Sequence, residues 1–117
     1  MTAITLEKRG QQAWITLNRP QAKNMLDGDA FVELADAWQE VRDDDDIRVA
    51  VLTGAGKEDF CCGGDLGKVI PLWTGARQPE NPVEERLLAD PAIPEKIMLK
   101  GEPLLKPIIA AINGRAL

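Results

Sequence analysis

The residues of this chain that could do chemistry are concentrated in one glycine-rich segment. Phe60–Leu66 reads Phe-Cys-Cys-Gly-Gly-Asp-Leu, between a predicted strand and a predicted helix. Glycines let the backbone approach a ligand closely. The first N–H groups of a helix have no internal partner and lie at its positive end. The segment therefore indicates a backbone that donates a hydrogen bond to a carbonyl oxygen on which negative charge develops.

Composition excludes several other kinds of site within these 117 residues. The chain contains no His, Ser or Tyr, so serine–histidine triads, cysteine–histidine pairs and histidine-based zinc motifs are absent. A net charge of −5 without a long basic run argues against a nucleic-acid partner. The run Asp43–Asp46 predicts a solvated loop, because four consecutive side chains diverge and do not converge on an ion. We therefore expect no metal site.

Cys61 and Cys62 are the only cysteines, and they are adjacent. This usage favours a reduced, cytoplasmic protein with two small buried thiols. A thiol enzyme is the alternative, because a helix N-terminus lowers the pKa of a nearby cysteine. The first 20 residues have no signal-peptide pattern and no window is apolar enough to span a bilayer, so we expect no membrane partner.

Hydrophobic patterns predict the elements that must hold this segment in place. Strands alternate with helices along the chain, which indicates an α/β fold with parallel pairing. Asp27 is the predicted N-cap of the first helix, and Pro71 is expected to end the second. The predicted elements are a hairpin of 4–8 with 13–17, a helix at 28–42, a buried strand at 47–53, a helix from Gly64 or Asp65 to Pro71, a variable excursion or lid at 71–94 with a helical turn at 84–89, a helix at 94–105 and a buried strand at 108–112.

One competing motif can be set aside. Gly54-Ala55-Gly56 follows a strand and resembles the start of a dinucleotide-binding turn. The third glycine of that fingerprint would fall at Asp59, and no helix opens directly after the turn. A dinucleotide-binding fold is therefore disfavoured.

Four blocks of sequence, taken together, resemble the crotonase superfamily, also called the enoyl-CoA hydratase/isomerase family. Each block alone is unspecific, but the order of the set is specific, and it covers nearly the whole chain apart from 71–94. The blocks are Asn18-Arg19-Pro20 with Asn24-Met25-Leu26, then Ile47–Gly56, then Phe60–Leu66, then Lys106–Gly114.

The resemblance implies a superhelix of ββα units, incomplete in this chain, in which 1–117 would be the N-terminal part. It implies acyl-CoA binding and stabilisation of a thioester enolate, with hydration of a 2-enoyl-CoA in fatty acid metabolism as the leading activity of the complete protein. Homotrimers or hexamers are usual in the family. Coenzyme A would be part of the substrate, and no separate cofactor is expected. Gly64 would supply the first oxyanion donor through its N–H. The implied substrate-binding positions are Gln21, Ala22, Lys23, Met25, Cys62, Gly63, Asp65, Leu66 and Lys68.

Two aspects of the resemblance limit what this chain could do alone. Alanine is more common in the family where Gly64 stands, although a main-chain donor tolerates either residue. The family's second oxyanion donor and the hydratase glutamates would lie beyond Leu117, so the 117 residues alone are expected to be inactive. Isomerase, hydrolase and decarboxylase activities remain alternatives, as does a non-catalytic module for CoA binding or oligomerisation.

Overall fold

Two sheets of unequal size organise the computed structural model, which describes residues 2–101 and 103–117. The larger sheet has the strand order β1-β2-β3-β5, and the smaller pairs β4 with β6. β1 and β2 are antiparallel, whereas β3 and β5 continue the sheet in parallel. The elements are β1 Ile4–Arg9, β2 Gln12–Leu17, a 3₁₀ turn Pro20–Ala22, α1 Gly28–Asp43, β3 Val49–Gly54, β4 Asp59–Cys61, α2 Leu66–Thr74, α3 Pro82–Ala89, α4 Ile93–Ile97, β5 Ile108–Ala111 and β6 Arg115–Ala116.

The hairpin predicted from alternation is present, and its inner face starts the main core. Ala13, Ile15 and Leu17 are buried on β2 because alternate residues of a strand face the same side. Trp38 and Val41 of α1 pack into the same cluster. The predicted strand at 47–53 also forms, although pairing begins at Val49.

The first helix begins and ends where the sequence indicates. The Asp27 carboxylate accepts a hydrogen bond from the Ala30 N–H at 2.9 Å, which confirms Asp27 as the N-cap. At the other end, α1 stops at Asp43, and the Lys8 ammonium pairs with Asp44 and Asp46. The acidic run is therefore a solvated loop linked to β1.

The prediction that α2 would fail at Pro71 is wrong, because the helix continues to Thr74. Tertiary contacts outweigh the hydrogen bond that proline cannot donate. Leu72 is only 2% exposed, and the Trp73 ring lies 5.5 Å from that of Phe31. The helix ends at Gly75, whose φ of 82° only glycine adopts readily.

The excursion at 71–94 contains more structure than predicted, and the helix expected at 94–105 contains less. Asn81 caps α3, and Leu87 of that helix is buried in a second apolar cluster against α1. α4 ends at Ile97. Leu99 has a φ of 58°, so the backbone leaves the helical region there. Glu102, within the predicted helix, lies outside the described residues.

The strand predicted at 108–112 forms as β5, but the expectation that it is buried is wrong. Ile108 is 38% and Ile109 is 55% exposed, since β5 is the last strand of the sheet and no described element covers it. Among the described helices, none is long and apolar enough to cross a bilayer.

Candidate functional site

The glycine-rich segment turns sharply before α2 and runs beside residues 23–26. Gly63 has a φ of 83°, a conformation that favours glycine. The Leu26 N–H donates to Gly63 O at 2.9 Å, and the Asp65 N–H donates to Leu26 O at 2.8 Å. This isolated parallel bridge centres on Leu26 and Gly64. The two segments therefore form one rigid unit.

Several backbone N–H groups at the start of α2 remain available to a ligand. Within the part of the chain that the structure describes, the N–H groups of Gly64, Leu66 and Gly67 have no hydrogen-bond acceptor. The Lys68 and Val69 N–H groups both donate to Asp65 O at 2.9 Å, so the helical pattern begins there. The bridge uses the Asp65 N–H and leaves that of Gly64 free. Free donors held by a fixed backbone suit an oxygen that gains negative charge.

Asn24 anchors the loop that the glycine-rich segment pairs with. Its side chain is buried, and its backbone has a φ of 51°. The side-chain oxygen accepts from the Arg19 N–H at 2.9 Å, and the amide donates to Ala55 O and Asp59 O at 3.0 and 2.9 Å. These contacts join the end of β2, the turn after β3 and the start of β4.

A buried charge cluster lies directly behind the free donors. The Arg19 guanidinium contacts the Asp65 carboxylate at 3.3 Å and the Asp27 carboxylate at 3.6 Å. It also donates to Met25 O. Asp65 stands at the N-cap position of α2 without accepting a side-chain cap bond, so its carboxylate serves the ion pair instead.

Comparison with known proteins identifies the family. A family model described as Enoyl-CoA hydratase/isomerase matches residues 7–117. The chain belongs to the enoyl-CoA hydratase/isomerase family. It is 44% identical to (E)-benzylidenesuccinyl-CoA hydratase of Thauera aromatica and 34% identical to the short-chain-enoyl-CoA hydratase of Clostridium acetobutylicum, over 97% of this chain and 40% of each relative. The chain thus spans about two fifths of the length of these relatives.

Solved structures agree with this assignment and confirm the predicted fold class. An enoyl-CoA hydratase/isomerase from Mycobacterium paratuberculosis superposes with a TM-score of 0.75 at 34% identity, covering 97% of this chain and 42% of that one. A carnitinyl-CoA dehydratase from Mycobacterium avium gives 0.71 at 34% identity, covering 97% and 39%. The α/β, crotonase-like architecture is therefore present here and corresponds to about two fifths of each of these solved chains.

Most of the predicted substrate-binding positions come together in the structure. Gln21 and Ala22 lie on the 3₁₀ turn, followed by Lys23 and Met25. The Cys62 N–H donates to Lys23 O at 3.2 Å, which brings the loop at 21–25 against the glycine-rich segment. Gly63, Gly64 and Asp65 continue along that contact, and Leu66 is 67% exposed at the start of α2.

Lys68 faces a different environment from Lys23. It lines a cleft of about 440 Å³ at the N-terminal ends of α1 and α2, together with Arg77 and four carboxylates: Asp27, Asp29, Glu80 and Glu84. The pKa of Asp29 is raised by burial and then by the neighbouring carboxylates. A phosphate would be repelled there. By contrast, Lys23 has no ion-pair partner among the described residues.

The structure disfavours the thiol-enzyme alternative. Both cysteines are half-buried, and α2 begins only at Leu66. Burial and the Asp59 carboxylate raise the pKa of the Cys62 thiol, which lies 3.6 Å from that carboxylate. Less thiolate therefore forms at neutral pH, the opposite of what a nucleophilic cysteine needs.

Arg19 and Asn24 are not among the site residues predicted from sequence, although both lie inside the block that carries the family resemblance. The available signal is indirect: an arginine next to Pro20 at a strand end, and an asparagine in a loop. Neither pattern distinguishes a buried side chain from a solvated one. Their partners lie up to 46 residues away in the chain.

Proposed function

We propose that this chain forms one wall of the active site of an acyl-CoA enzyme, most simply a 2-enoyl-CoA hydratase, and that 1–117 is the N-terminal part of that enzyme. The observation that carries the proposal is the unpartnered Gly64 N–H at the start of α2. This donor is fixed on both sides by the bridge to Leu26. Family membership supports the same activity.

The chain's contribution to such a reaction is electrostatic. Addition of water at C3 of an enoyl thioester places negative charge on the thioester oxygen. The Gly64 N–H would donate to that oxygen, and the positive end of α2 would favour the same charge. A preorganised donor of this kind is worth about 3 to 4 kcal/mol in the transition state. No residue of this chain is proposed as the general acid or base.

The coenzyme A portion of the substrate would lie along the loop at 21–25. The Lys23 ammonium is close enough to Cys62 to lower the pKa of that thiol, though less than its other neighbours raise it. Lys23 is therefore the better of the two predicted lysines for a phosphate, since Lys68 lies among carboxylates. A Lys23→Ala variant of the complete protein should bind CoA more weakly, and Lys68→Ala should not.

The relatives favour hydration over the other reactions of the family. Two of them are named as hydratases of CoA thioesters with different acyl groups. We extend the proposal accordingly to an acyl-CoA thioester partner, a homotrimer or hexamer, a cytoplasmic location and a role in fatty acid metabolism. The resemblance supports the acyl-CoA partner, the oligomer and the metabolic role, and the cysteine usage supports the cytoplasmic location.

A steady-state assay tests the activity. The complete protein should hydrate crotonyl-CoA, which is followed by the loss of absorbance of the conjugated thioester. Calorimetric titration with CoA should show binding, and the intact mass should exceed 12.8 kDa. Absence of turnover with every enoyl-CoA tested, together with absence of thioester binding, would contradict the proposal.

A further inference from the structure

We infer that Arg19 is a positioning residue that fixes the direction of the Gly64 N–H by holding the N-caps of α1 and α2 on one guanidinium. The inference rests on the proposed function, because it assigns Arg19 a role in polarising the thioester carbonyl. Arg19 itself contacts no substrate in this proposal.

The contacts of Arg19 link the segment after β2 with the N-termini of α1 and α2, the last of which is 46 residues away in the chain. Its backbone N–H, just after the end of β2, donates to the side-chain oxygen of Asn24. Its side chain reaches the Asp27 carboxylate, which caps α1, and the Asp65 carboxylate, which stands at the N-cap of α2. A donor bond to Met25 O ties the guanidinium to the intervening loop.

Burial makes this cluster sensitive to the loss of its cation. The side chain of Arg19 is 11% exposed, and those of Asp27 and Asp65 are 20% and 14% exposed. Two carboxylates therefore share one cation with little water. Removing one partner of a buried charge cluster is unfavourable because the remaining charges lose their compensation. Without the guanidinium, the two carboxylates would repel each other and separate.

Separation of the caps would change the oxyanion donor through the bridge to Leu26. A shift of the Asp65 carboxylate moves the Gly64–Asp65 peptide, whereas the Gly64 N–H belongs to the preceding peptide, whose Gly63 O accepts from the Leu26 N–H at 2.9 Å. The bridge between Leu26 and Gly64 depends on the Asp65 N–H, which donates to Leu26 O at 2.8 Å. A small rotation would thus weaken the bridge and redirect the Gly64 N–H. Displacements of about 1 Å at a catalytic group can lower a rate by about 100-fold.

Lysine cannot reproduce this arrangement, which gives a conservative test. The planar guanidinium donates in several fixed directions, whereas an ammonium is a compact point charge. Arg19→Lys keeps the charge and loses the simultaneous contacts to Asp27, Asp65 and Met25 O. Arg86 provides a matched control. It forms a bidentate pair with Asp36 at 2.7 and 2.9 Å, but this pair joins α3 to the middle of α1, and both side chains are more than half exposed.

The experiment uses the complete protein with butyryl-CoA isotopically labelled at the carbonyl carbon. Infrared difference spectra report the stretching frequency of the bound thioester carbonyl, which falls as its hydrogen bond strengthens. We expect a lowered frequency in the wild type and Arg86→Lys, and a frequency closer to that of free thioester in Arg19→Lys and Asp65→Asn. With crotonyl-CoA, Arg19→Lys should lose about 10- to 100-fold in kcat with less than about threefold change in KM.

The outcomes separate the inference from the proposed function. A wild-type protein that binds butyryl-CoA without lowering the carbonyl frequency overturns the proposed function and the role of Arg19 with it. A lowered frequency in the wild type that Arg19→Lys retains in full, at a temperature where circular dichroism shows both proteins folded, overturns the positioning role alone. A roughly 10- to 100-fold rise in KM for Arg19→Lys without any loss of kcat also overturns the positioning role.

Discussion

Replacing Asn24 by alanine should destabilise the fold by about 4 to 5 kcal/mol, because one side chain satisfies three backbone groups. The substitution leaves the Arg19 N–H without its acceptor and the carbonyls of Ala55 and Asp59 without their donor. A buried polar group that loses its only partner costs about 1 to 3 kcal/mol. Alanine at the observed φ of 51° adds about 1 kcal/mol of backbone strain.

The backbone and hydrogen-bond contributions can be separated with a second variant. Asn24→Gly removes the same hydrogen bonds but tolerates the positive φ. Relief of the backbone strain should therefore make Asn24→Gly about 1 kcal/mol more stable than Asn24→Ala. The greater conformational entropy of glycine in the unfolded chain opposes this gain. Asn18→Ala is the matched control, because its one side-chain bond, to Thr2 O at 3.3 Å, is exposed. It should change stability by less than about 0.5 kcal/mol.

Urea denaturation of the complete protein, followed by tryptophan fluorescence, measures all three variants. The transition midpoints give the differences in unfolding free energy when the slopes are equal. A loss of less than 1 kcal/mol for Asn24→Ala would refute the view that this side chain holds the loop against the glycine-rich segment. So would equal losses for Asn24→Ala and Asn18→Ala.

Four further predictions follow from the same structure. Gly64→Ala should leave stability unchanged or raise it by up to about 1 kcal/mol, since an added Cβ would meet its nearest neighbour at 4.0 Å. Gly63→Ala should cost about 1 kcal/mol, because the backbone there has a φ of 83°. Equal melting temperatures for the two variants would contradict this prediction. Arg77 lowers the pKa of Glu84 to about 2 from 4.5, so the pair stabilises the fold above pH 4.5 and that stabilisation is lost as the pH falls towards 2. A Glu84→Gln variant should show a flatter dependence of Tm on pH across this window, and an unchanged dependence would argue against the pair. Cys62 should react with iodoacetamide at neutral pH more slowly than a free thiol peptide, as mass spectrometry would show, because its pKa is raised; faster alkylation would restore the thiol-enzyme alternative. The chain produced alone should self-associate through the exposed face of β5, and a single monomeric boundary in sedimentation velocity would contradict that expectation.

Local patterns in the sequence predict the elements whose stability is local. The alternation in Ala13–Leu17 and the cap at Asp27 both indicate contacts within a few residues, and both are confirmed. At Pro71 the local pattern predicts the end of the helix wrongly. The helix continues because Leu72 is buried and Trp73 contacts Phe31, and both contacts depend on α1, which is distant in the chain. The helix predicted at 94–105 also rests on neighbouring residues alone, and the observed helix ends at Ile97.

The candidate site divides in the same way. The Gly63-Gly64 pair and the start of α2 are visible in the sequence, since they depend on glycine and on helix spacing. The fixation of the Gly64 donor is not visible, because it depends on Arg19 and Asn24 reaching residues in other elements. Burial decides the roles of these two polar side chains, and their residue types alone do not reveal it.

The contact of Lys106 with α1 has a consequence for how the last strand of the larger sheet joins it. The ammonium donates to Val41 O and Asp44 O at 2.6 and 2.7 Å, at the C-terminal end of α1, where Asp44 O also accepts from the Ile47 N–H at 3.0 Å. Those carbonyls exist as a pair only after α1 has formed. Lys106 lies two residues before Ile108, the first residue of β5, and Ile108 pairs with Ala50. A slip of one residue would turn the side chains of β5 to the opposite face and would withdraw Lys106 from the carbonyls. The completed α1 thus helps to set the register of β5, a strand that is synthesised more than fifty residues later.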